Sequence, residues 1–471
     1  MGPHERCGPR RLIVVLAVAA FTTAAAPAHA HIQLDSASPA PGEVLDGMPS
    51  RLRLLFSGFL EPRYTQLTLI APDGSDVATG PVVFIAGSDR EFTVSLGRLR
   101  LAGVYTVRWR TAGADGHVLE GSYTFTLSPA ALPPDTLPSD TPSASPARIG
   151  ARDSAAATHD HGSAGESRSG SAVNVAARLL HFGSLLLLIG ALSFRTLLLP
   201  RIPEGAAVAE LKRRAWRVLT GGALVLAIAM VLRLWLQSSA LHGANRAWSP
   251  ALLSIMLNDT GWGRAWLMQA LLFAVLGAAI AWARPPRDRS ALFLAVPAAI
   301  GLAAIPGLSG HAAGVGEAAW LAVINDTVHV TSVGVWLGTL FLLAVVSLPV
   351  LVGGARADGD GAHHAAGAVH AFSPIALTAA AAALATGIIN ALFHVDSFGQ
   401  LASTAYGRAL LVKTAVVLLV LLLGLINWRV IRPRLADLAS LHRLRVAAFI
   451  ELSLALLVLL ATAVLTGLPH P

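Results

Sequence analysis

The residues best suited to chemistry in this chain are histidines and carboxylates, and they fall into two groups. The first is Asp115-Gly116-His117, with His31 as a distant companion. In an extended chain, residues two apart point to the same side, and a glycine between them permits close backbone approach. Imidazole, carboxylate and amine nitrogen together make a tetragonal N,O donor set, the kind that suits Cu(II). Alone, Asp-Gly-His also reads as a β-turn with a surface histidine, because Asp-Gly is first of all a turn signal. The second group lies within or beside long apolar runs: His181, His311, Asp326, His329, His394 and Glu451. Ionisable residues are costly in a bilayer and by default mark a pathway or a site. The alternative for each single histidine is a capped interfacial residue, and for Glu451 an ion pair with an arginine such as Arg445. Asp326 precedes His329 by one helical turn, so the two share a helix face. Arg233 and Lys413 also fall in these runs, where their long stems allow snorkelling.

His31 joins the first group only if the chain is cut. Arg10 and Arg11 precede the apolar run Leu12 to Ala20, and small residues lead to an Ala-x-Ala signature at Ala28 and Ala30. That is a basic n-region, an h-region too short to span a bilayer and a signal-peptidase site. Cleavage after Ala30 makes His31 the first residue of the mature chain, with a free α-amine beside its imidazole. The two can bite one metal ion together.

Composition sets the frame that must carry these residues. The chain has 471 residues, 54% hydrophobic and 13% charged, with a formal charge of +8. Soluble proteins average about 25% charged residues, so most of this chain faces lipid. The basic residues sit between apolar runs rather than on one face, which argues against nucleic acid as the partner. The single cysteine, Cys7, lies in the n-region, so the mature chain has no disulfide and no thiolate metal site.

Residues 31–127 alternate short β-type runs with turn signals: 52–56, 66–70, 92–96, 105–109 and 122–126. This spacing predicts a β-sandwich. Residues 128–173 turn to Pro, Ser, Ala and Thr, which predicts a flexible linker. The linker contains Thr158-His159-Asp160-His161, read either as a solvated stretch or as a weak accessory metal site at His159 and His161. Residues 174–468 hold about eight runs long enough to span a bilayer, near 174–199, 215–236, 262–283, 290–308, 320–348, 372–393, 407–428 and 446–468. The loops with Lys212, Arg213, Arg214 and Arg217, with Arg284, Arg287 and Arg289, and with Arg429, Arg432, Arg434, Arg443 and Arg445 all fall on one side. The positive-inside rule then runs the first span from outside to inside and leaves both the β domain and the C-terminus outside. With that topology His181, His311, His329 and His394 lie in the outer half or at the outer surface.

Two resemblances follow. His31-Ile32, Ser38-Pro39-Ala40-Pro41-Gly42, Leu54-Leu55-Phe56-Ser57, Gly103 to Trp109 and Ala114 to Gly121 are similar to the CopC family of periplasmic copper-binding proteins. This resemblance implies a Greek-key sandwich and a Cu(II) site made by the terminal amine and imidazole, an Asp and a second His, here His31, Asp115 and His117. The chain departs from the family where Phe56-Ser57 is followed by Gly58 rather than Glu, with Glu61 as the nearest stand-in. The methionine-rich Cu(I) site of some members is absent too, Met48 being the only methionine between the signal and the linker. Ser309-Gly310-His311-Ala312, Asp326-Thr327-Val328-His329, Val335-Trp336-Leu337-Gly338, Tyr406 to Lys413, Asn427 and Glu451 resemble the CopD copper-transport domain.

CopC and CopD domains occur fused in bacterial copper-uptake proteins. The resemblance therefore implies an all-β sandwich joined to an all-α polytopic bundle in the bacterial cytoplasmic (inner) membrane. Copper ions and the lipid bilayer are the expected partners, with other copper-homeostasis proteins as further ones. Copper import is the leading function, and resistance by extracytoplasmic sequestration the alternative. A terminal-histidine copper site also suits oxygen activation, but the Asp115 donor stabilises Cu(II) and fills an open position, so no enzyme is expected. Histidine pairs in bundled helices can also ligate haem. No Walker-type G-x-x-x-x-G-K-[ST] loop is present, which argues against ATP drive within this chain.

Overall fold

A computed structural model describes residues 32–113, 116, 118–132, 171–204, 206–283, 288–309, 319–358, 361–392, 398–434 and 438–467. Of the residues nominated above, His31, Asp115, His117, His159, His161, His311 and His394 lie outside the described residues. The chain divides into two compact units, one built on the β region together with Gln237–Gly261 and one built on the remaining helices.

Among the described residues the β unit holds nine strands in two sheets. One runs in the order β1 (Leu34–Ser38), β3 (Arg51–Phe56), β7 (Glu91–Leu96), β6 (Thr79–Phe84). The other runs β2 (Val44–Leu45), β9 (Val118–Leu127), β8 (Gly103–Ala112), β4 (Gln66–Ile70), β5 (Asp76–Val77). Neighbours pair antiparallel except β2 with β9. Alternation drives this fold. In β3 Leu52, Leu54 and Phe56 are fully buried, while Arg51 and Arg53 face out. Phe92 and Val94 of β7, Tyr105 and Val107 of β8, and Phe125 and Leu127 of β9 meet them in one core. Aromatic contacts bind this core: Phe56 meets the edge of Trp109 at 5.0 Å, and Tyr105 stacks on Phe125 at 5.5 Å. Such pairs contribute about 0.5–1.5 kcal/mol each beyond the area they bury.

The helical unit bears out the expected polytopic bundle. Among the described residues, eight helices are long and apolar enough to cross a membrane: Ala172–Arg201, Ala207–His242, Gly261–Trp282, Ser290–Leu308, Trp320–Gly353, His363–Leu392, Ala405–Ile431 and Ala439–Leu465. The first span is the hub, with Leu185, Leu188, Ala191, Leu192 and Phe194 inside the helical core. Its Gly190 meets Gly338 of the fifth span so closely that a Cβ on Gly190 would lie 2.3 Å from the Gly338 carbonyl carbon. Small residues permit this backbone approach, which is how helices associate where no hydrophobic drive separates helix from lipid. The fifth span widens into π-turns at Gly334–Gly338 and Leu342–Ser347, the first of them at this crossing.

Candidate functional site

Three places in the helical unit collect polar groups. In the first, Asp326 and His329 project from the fifth span toward the sixth. His329 Nδ1 lies 3.0 Å from the Ala383 carbonyl and 3.0 Å from Thr386 Oγ1. A carbonyl can only accept, so Nδ1 carries the proton and Nε2 keeps its lone pair. That is the arrangement in which a ligating histidine is oriented by its other nitrogen. Thr386 donates to Ala382 at 2.7 Å, so its oxygen is free to accept from the ring. Asn325 Nδ2 donates to Asn390 Oδ1 at 2.6 Å and to the Thr386 carbonyl at 3.0 Å. This fixes which way the Asn390 amide points: its nitrogen turns to Asp326 Oδ1 at 3.5 Å. Lys413 of the seventh span is electrostatically coupled to both Asp326 and His329. A Cβ on Gly387 would come within 3.2 Å of His329 Cε1, so the sixth span closes over the ring.

The second place is His181, buried in the first span at 1% exposure. Arg233 of the second span approaches it, with its NH1 3.4 Å from Nδ1 and 3.5 Å from Nε2. A guanidinium has donors only, so a metal ion at that edge of the ring would have to displace it. Arg233 thus turns inward to His181, because the ring nitrogen offers it an acceptor inside an apolar bundle.

The third place is Glu451, 4% exposed in the eighth span, whose carboxylate accepts from Asn427 Nδ2. Arg445 is not its partner and lies instead 5.5 Å from the Phe449 ring. Six residues along a helix amount to about 1.7 turns, which puts Arg445 and Glu451 on different faces. Asn427 opens the π-turn Asn427–Ile431 in the seventh span. Glu451 and Asn427 border a cavity of about 270 Å³ whose other walls include Trp336, Phe372, Trp428 and Arg432.

The structure therefore places Asp326 and His329 in one polar network through Asn325, Asn390 and Thr386, and gives His181 and Glu451 other partners, Arg233 and Asn427. Among the described residues, no three of His, Cys, Asp and Glu converge as a metal site. Sequence patterning does not single out Asn325, Thr386 and Asn390, which orient the first cluster. The available signal is that each is a polar residue within an otherwise apolar run, and Asn325 directly precedes Asp326.

In the β unit the stretch around Asp115 is framed by described neighbours. Leu60 bridges Gly113, and the Glu61 backbone N–H donates to the Ala112 carbonyl at 2.8 Å. Gly116 donates to the Gly113 carbonyl at 2.8 Å and has φ +82°, a conformation that L side chains rarely adopt. Glu61, 8% exposed, has its carboxylate on the backbone N–H of Gly261 at 2.7 Å, where the third span begins. A helix start is a natural seat for an anion.

Residues 34–128 match the family model described as the CopC domain. Residues 169–320 match that of the copper resistance protein D-like N-terminal domain, and residues 366–465 that of copper resistance protein D. Copper transport protein CutJ of Bacillus subtilis (strain 168) is 27% identical over 467 residues, covering 98% of this chain and 77% of CutJ. Inner membrane protein YebZ of Escherichia coli (strain K12) is 28% identical over 262 residues, covering 55% of this chain and 85% of YebZ. Among solved structures, CopC from Methylosinus trichosporium OB3b has 32% identity, a TM-score of 0.20, and covers 21% of this chain and 94% of its own.

Proposed function

Because the chain joins a CopC domain to a CopD-type membrane domain, and is thus a multi-pass membrane protein of the copper transport and resistance families, we propose that it imports copper. In this reading the sandwich captures Cu(II) outside the membrane at His31, Asp115 and His117 and releases it to the spans. The observation that carries the membrane half is the His329 tautomer. With Nδ1 committed to the Ala383 carbonyl, the Nε2 lone pair is the free donor, one helical turn from the Asp326 carboxylate. Two protein donors hold an ion weakly, which suits passage, because a conducting site must bind well enough to admit an ion and loosely enough to release it.

Capture should strengthen as pH rises. The α-amine, with an ordinary pKa of about 7.7–8.0, and the imidazoles, at about 6.5, must lose protons to bind. The test is copper accumulated by copper-starved cells expressing the chain. His329→Ala and Asp326→Asn should each cut accumulation about tenfold or more, the scale on which groups around a metal matter. Equal accumulation by His329→Ala and wild type would end the membrane half of this reading. Sequestration without transport is the second reading, since the sandwich and its donors would be the same. Deletion of the chain separates the two: loss of an importer makes cells more tolerant of copper, and loss of a sequestering protein makes them less tolerant.

A further inference from the structure

The third polar place in the helical unit, at Glu451, borders a cavity of about 270 Å³ to which the fifth, sixth, seventh and eighth spans all contribute. Its wall is mostly apolar, with side chains such as Leu343, Phe372 and Leu421. Two breaks in helical regularity open it. The π-turn Leu342–Ser347 supplies Leu343 and Ala344, and the π-turn Asn427–Ile431 supplies Asn427 and Trp428. Such turns insert an extra residue into a helix and are frequent at functional sites. Gly424, about one turn before Asn427, adds to the space, since a Cβ there would meet nothing within 4 Å. On the rim, Leu377 of the sixth span and Leu425 of the seventh are exposed. Exposed faces of membrane spans meet lipid, so the cavity opens toward acyl chains.

The polar groups on the wall differ in how well they are satisfied. Ser373 Oγ donates to the Val369 carbonyl at 2.9 Å, and Asn427 donates to the Glu451 carboxylate. Arg432 directly follows the seventh span, and its Nε is buried yet, among the described residues, meets no acceptor. A buried donor of this kind calls for a partner that the chain does not supply. A guanidinium has donors only and matches a phosphate as a fork. Arg432 lies five residues beyond Asn427, about 7–8 Å along the helix axis. The guanidinium therefore marks the end of the cavity nearest the basic segment with Arg429, Arg443 and Arg445, and Glu451 lies further in. Trp428, one turn before Arg432, is 39% exposed, and tryptophans favour the headgroup level of a bilayer.

We propose that this cavity is a site for an anionic phospholipid, with the phosphate held by Arg432 and one acyl chain entering between the sixth and seventh spans along the apolar wall. Charge complementarity selects this occupant. Asn427 already takes the Glu451 carboxylate, so the guanidinium is the charge left for a ligand. A choline head would set its own cation among Arg429, Arg443 and Arg445, whereas a glycerol head adds none. Basic pockets between membrane helices are known seats for anionic headgroups. The bound lipid then bridges four spans, including the fifth and sixth.

The experiment uses the full chain in detergent, offered equimolar phosphatidylglycerol and phosphatidylcholine with matched acyl chains. The lipid retained is counted by native mass spectrometry. Wild type should retain one phosphatidylglycerol in preference to phosphatidylcholine by about tenfold or more, the scale of a hydrogen bond to a charged group. Arg432→Gln should bring this preference close to one. Arg443→Gln removes the same charge from a guanidinium that donates to Ser440 Oγ at 3.0 Å, away from the wall, and should keep the wild-type preference. Gly424→Leu fills the space and should abolish retention of both lipids, while its tryptophan-fluorescence midpoint shows the chain still folded. Equal retention of the two lipids by wild type overturns the proposal without any variant. Equal loss of preference in Arg432→Gln and Arg443→Gln also overturns it, because the basic segment as a whole would then carry the effect. Unaltered retention in folded Gly424→Leu places the lipid elsewhere and overturns the site.

Discussion

The crossing of the first and fifth spans at Gly190 and Gly338 is the most sharply defined contact of the helical unit, and Gly190→Ala tests it. The added Cβ would lie 2.3 Å from the Gly338 carbonyl carbon, 2.4 Å from its Cα and 2.7 Å from its carbonyl oxygen. Carbon atoms rest at about 3.5–4.0 Å, so the spans must part by about 1 Å or more. The obstacle is backbone, with no rotamer to swing aside. Overpacking costs about 1–3 kcal/mol, and the lack of a flexible neighbour places this site at the upper end. At roughly 2–4 °C per kcal/mol for a unit of this size class, the midpoint should fall roughly 5–10 °C. Tryptophan fluorescence of the detergent-solubilised chain, which has 10 tryptophans, can follow this at a fixed heating rate.

Two controls sharpen the result. Gly424→Ala places a Cβ with no neighbour within 4 Å, and relief of glycine's helix penalty, about 1 kcal/mol, should leave it neutral or stabilised. Gly338→Ala meets the Leu186 carbonyl oxygen at 2.2 Å and Gly190 Cα at 2.7 Å, so it should cost as much as Gly190→Ala. The double substitution should cost less than the sum, because helices already parted by one methyl accept the second more easily. Copper accumulation should fall with Gly190→Ala, since the same two helices carry His181, Asp326 and His329. A midpoint for Gly190→Ala equal to that of Gly424→Ala would refute the contact.

Thr386→Val removes the hydroxyl 3.0 Å from His329 Nδ1 but leaves the Ala383 carbonyl in place. The tautomer should survive and copper accumulation should fall only a few-fold, well short of the loss in His329→Ala; equal losses would mean that Thr386 does more than orient the ring. Tyr64 offers a test by pH. Burial, aided by the Glu61 and Asp259 carboxylates, pushes its hydroxyl up to about 12. The folded state therefore holds this proton more tightly than the unfolded chain, whose phenol ionises near 10. The stabilisation is present in full below about pH 10 and is lost as pH rises from there through about 12. Ultraviolet titration of phenolate in wild type and Tyr64→Phe isolates this step, and a Tyr64 step at the ordinary value would contradict the packed corner.

The central strands were legible because both faces of the period-two pattern are used. The five β-type runs correspond to β3, β4, β7, β8 and β9, and all five lie inside their sheets. The strands that alternation misses, β1, β2, β5 and β6, are the four edges. Edge strands carry little apolar signal: β1 reads Leu-Asp-Ser-Ala-Ser, and β6 contains Gly80 and Pro81 beside an irregularity in its pairing. The spans were legible from length and hydropathy, but not the polar end of the second helix. Gln237 and Ser238 lengthen the helix past its apolar run because their side chains find partners beyond it, the Gly116 and Ala247 carbonyls. Spacing placed Asp326 and His329 one turn apart on one helix; it could not foretell Asn390 or Thr386, which arrive from another helix.

The surroundings of the two nominated histidines that the structure describes, His181 and His329, differ in how they would receive a cation. Beside His181 stands Arg233, and among the described residues no carboxylate hydrogen-bonds to it. Two unit charges about 4 Å apart repel by about 4 kcal/mol at the effective dielectric of a partly solvated site. Each 1.4 kcal/mol is about tenfold in affinity, so Arg233 disfavours a monovalent ion at that ring by roughly a thousandfold, and a divalent ion by more. Beside His329 the balance differs, because Asp326 offsets Lys413 and the free Nε2 is backed by a hydrogen-bonded Nδ1. On the proposed import route, Arg233 therefore turns a cation away from His181 and toward the fifth, sixth and seventh spans.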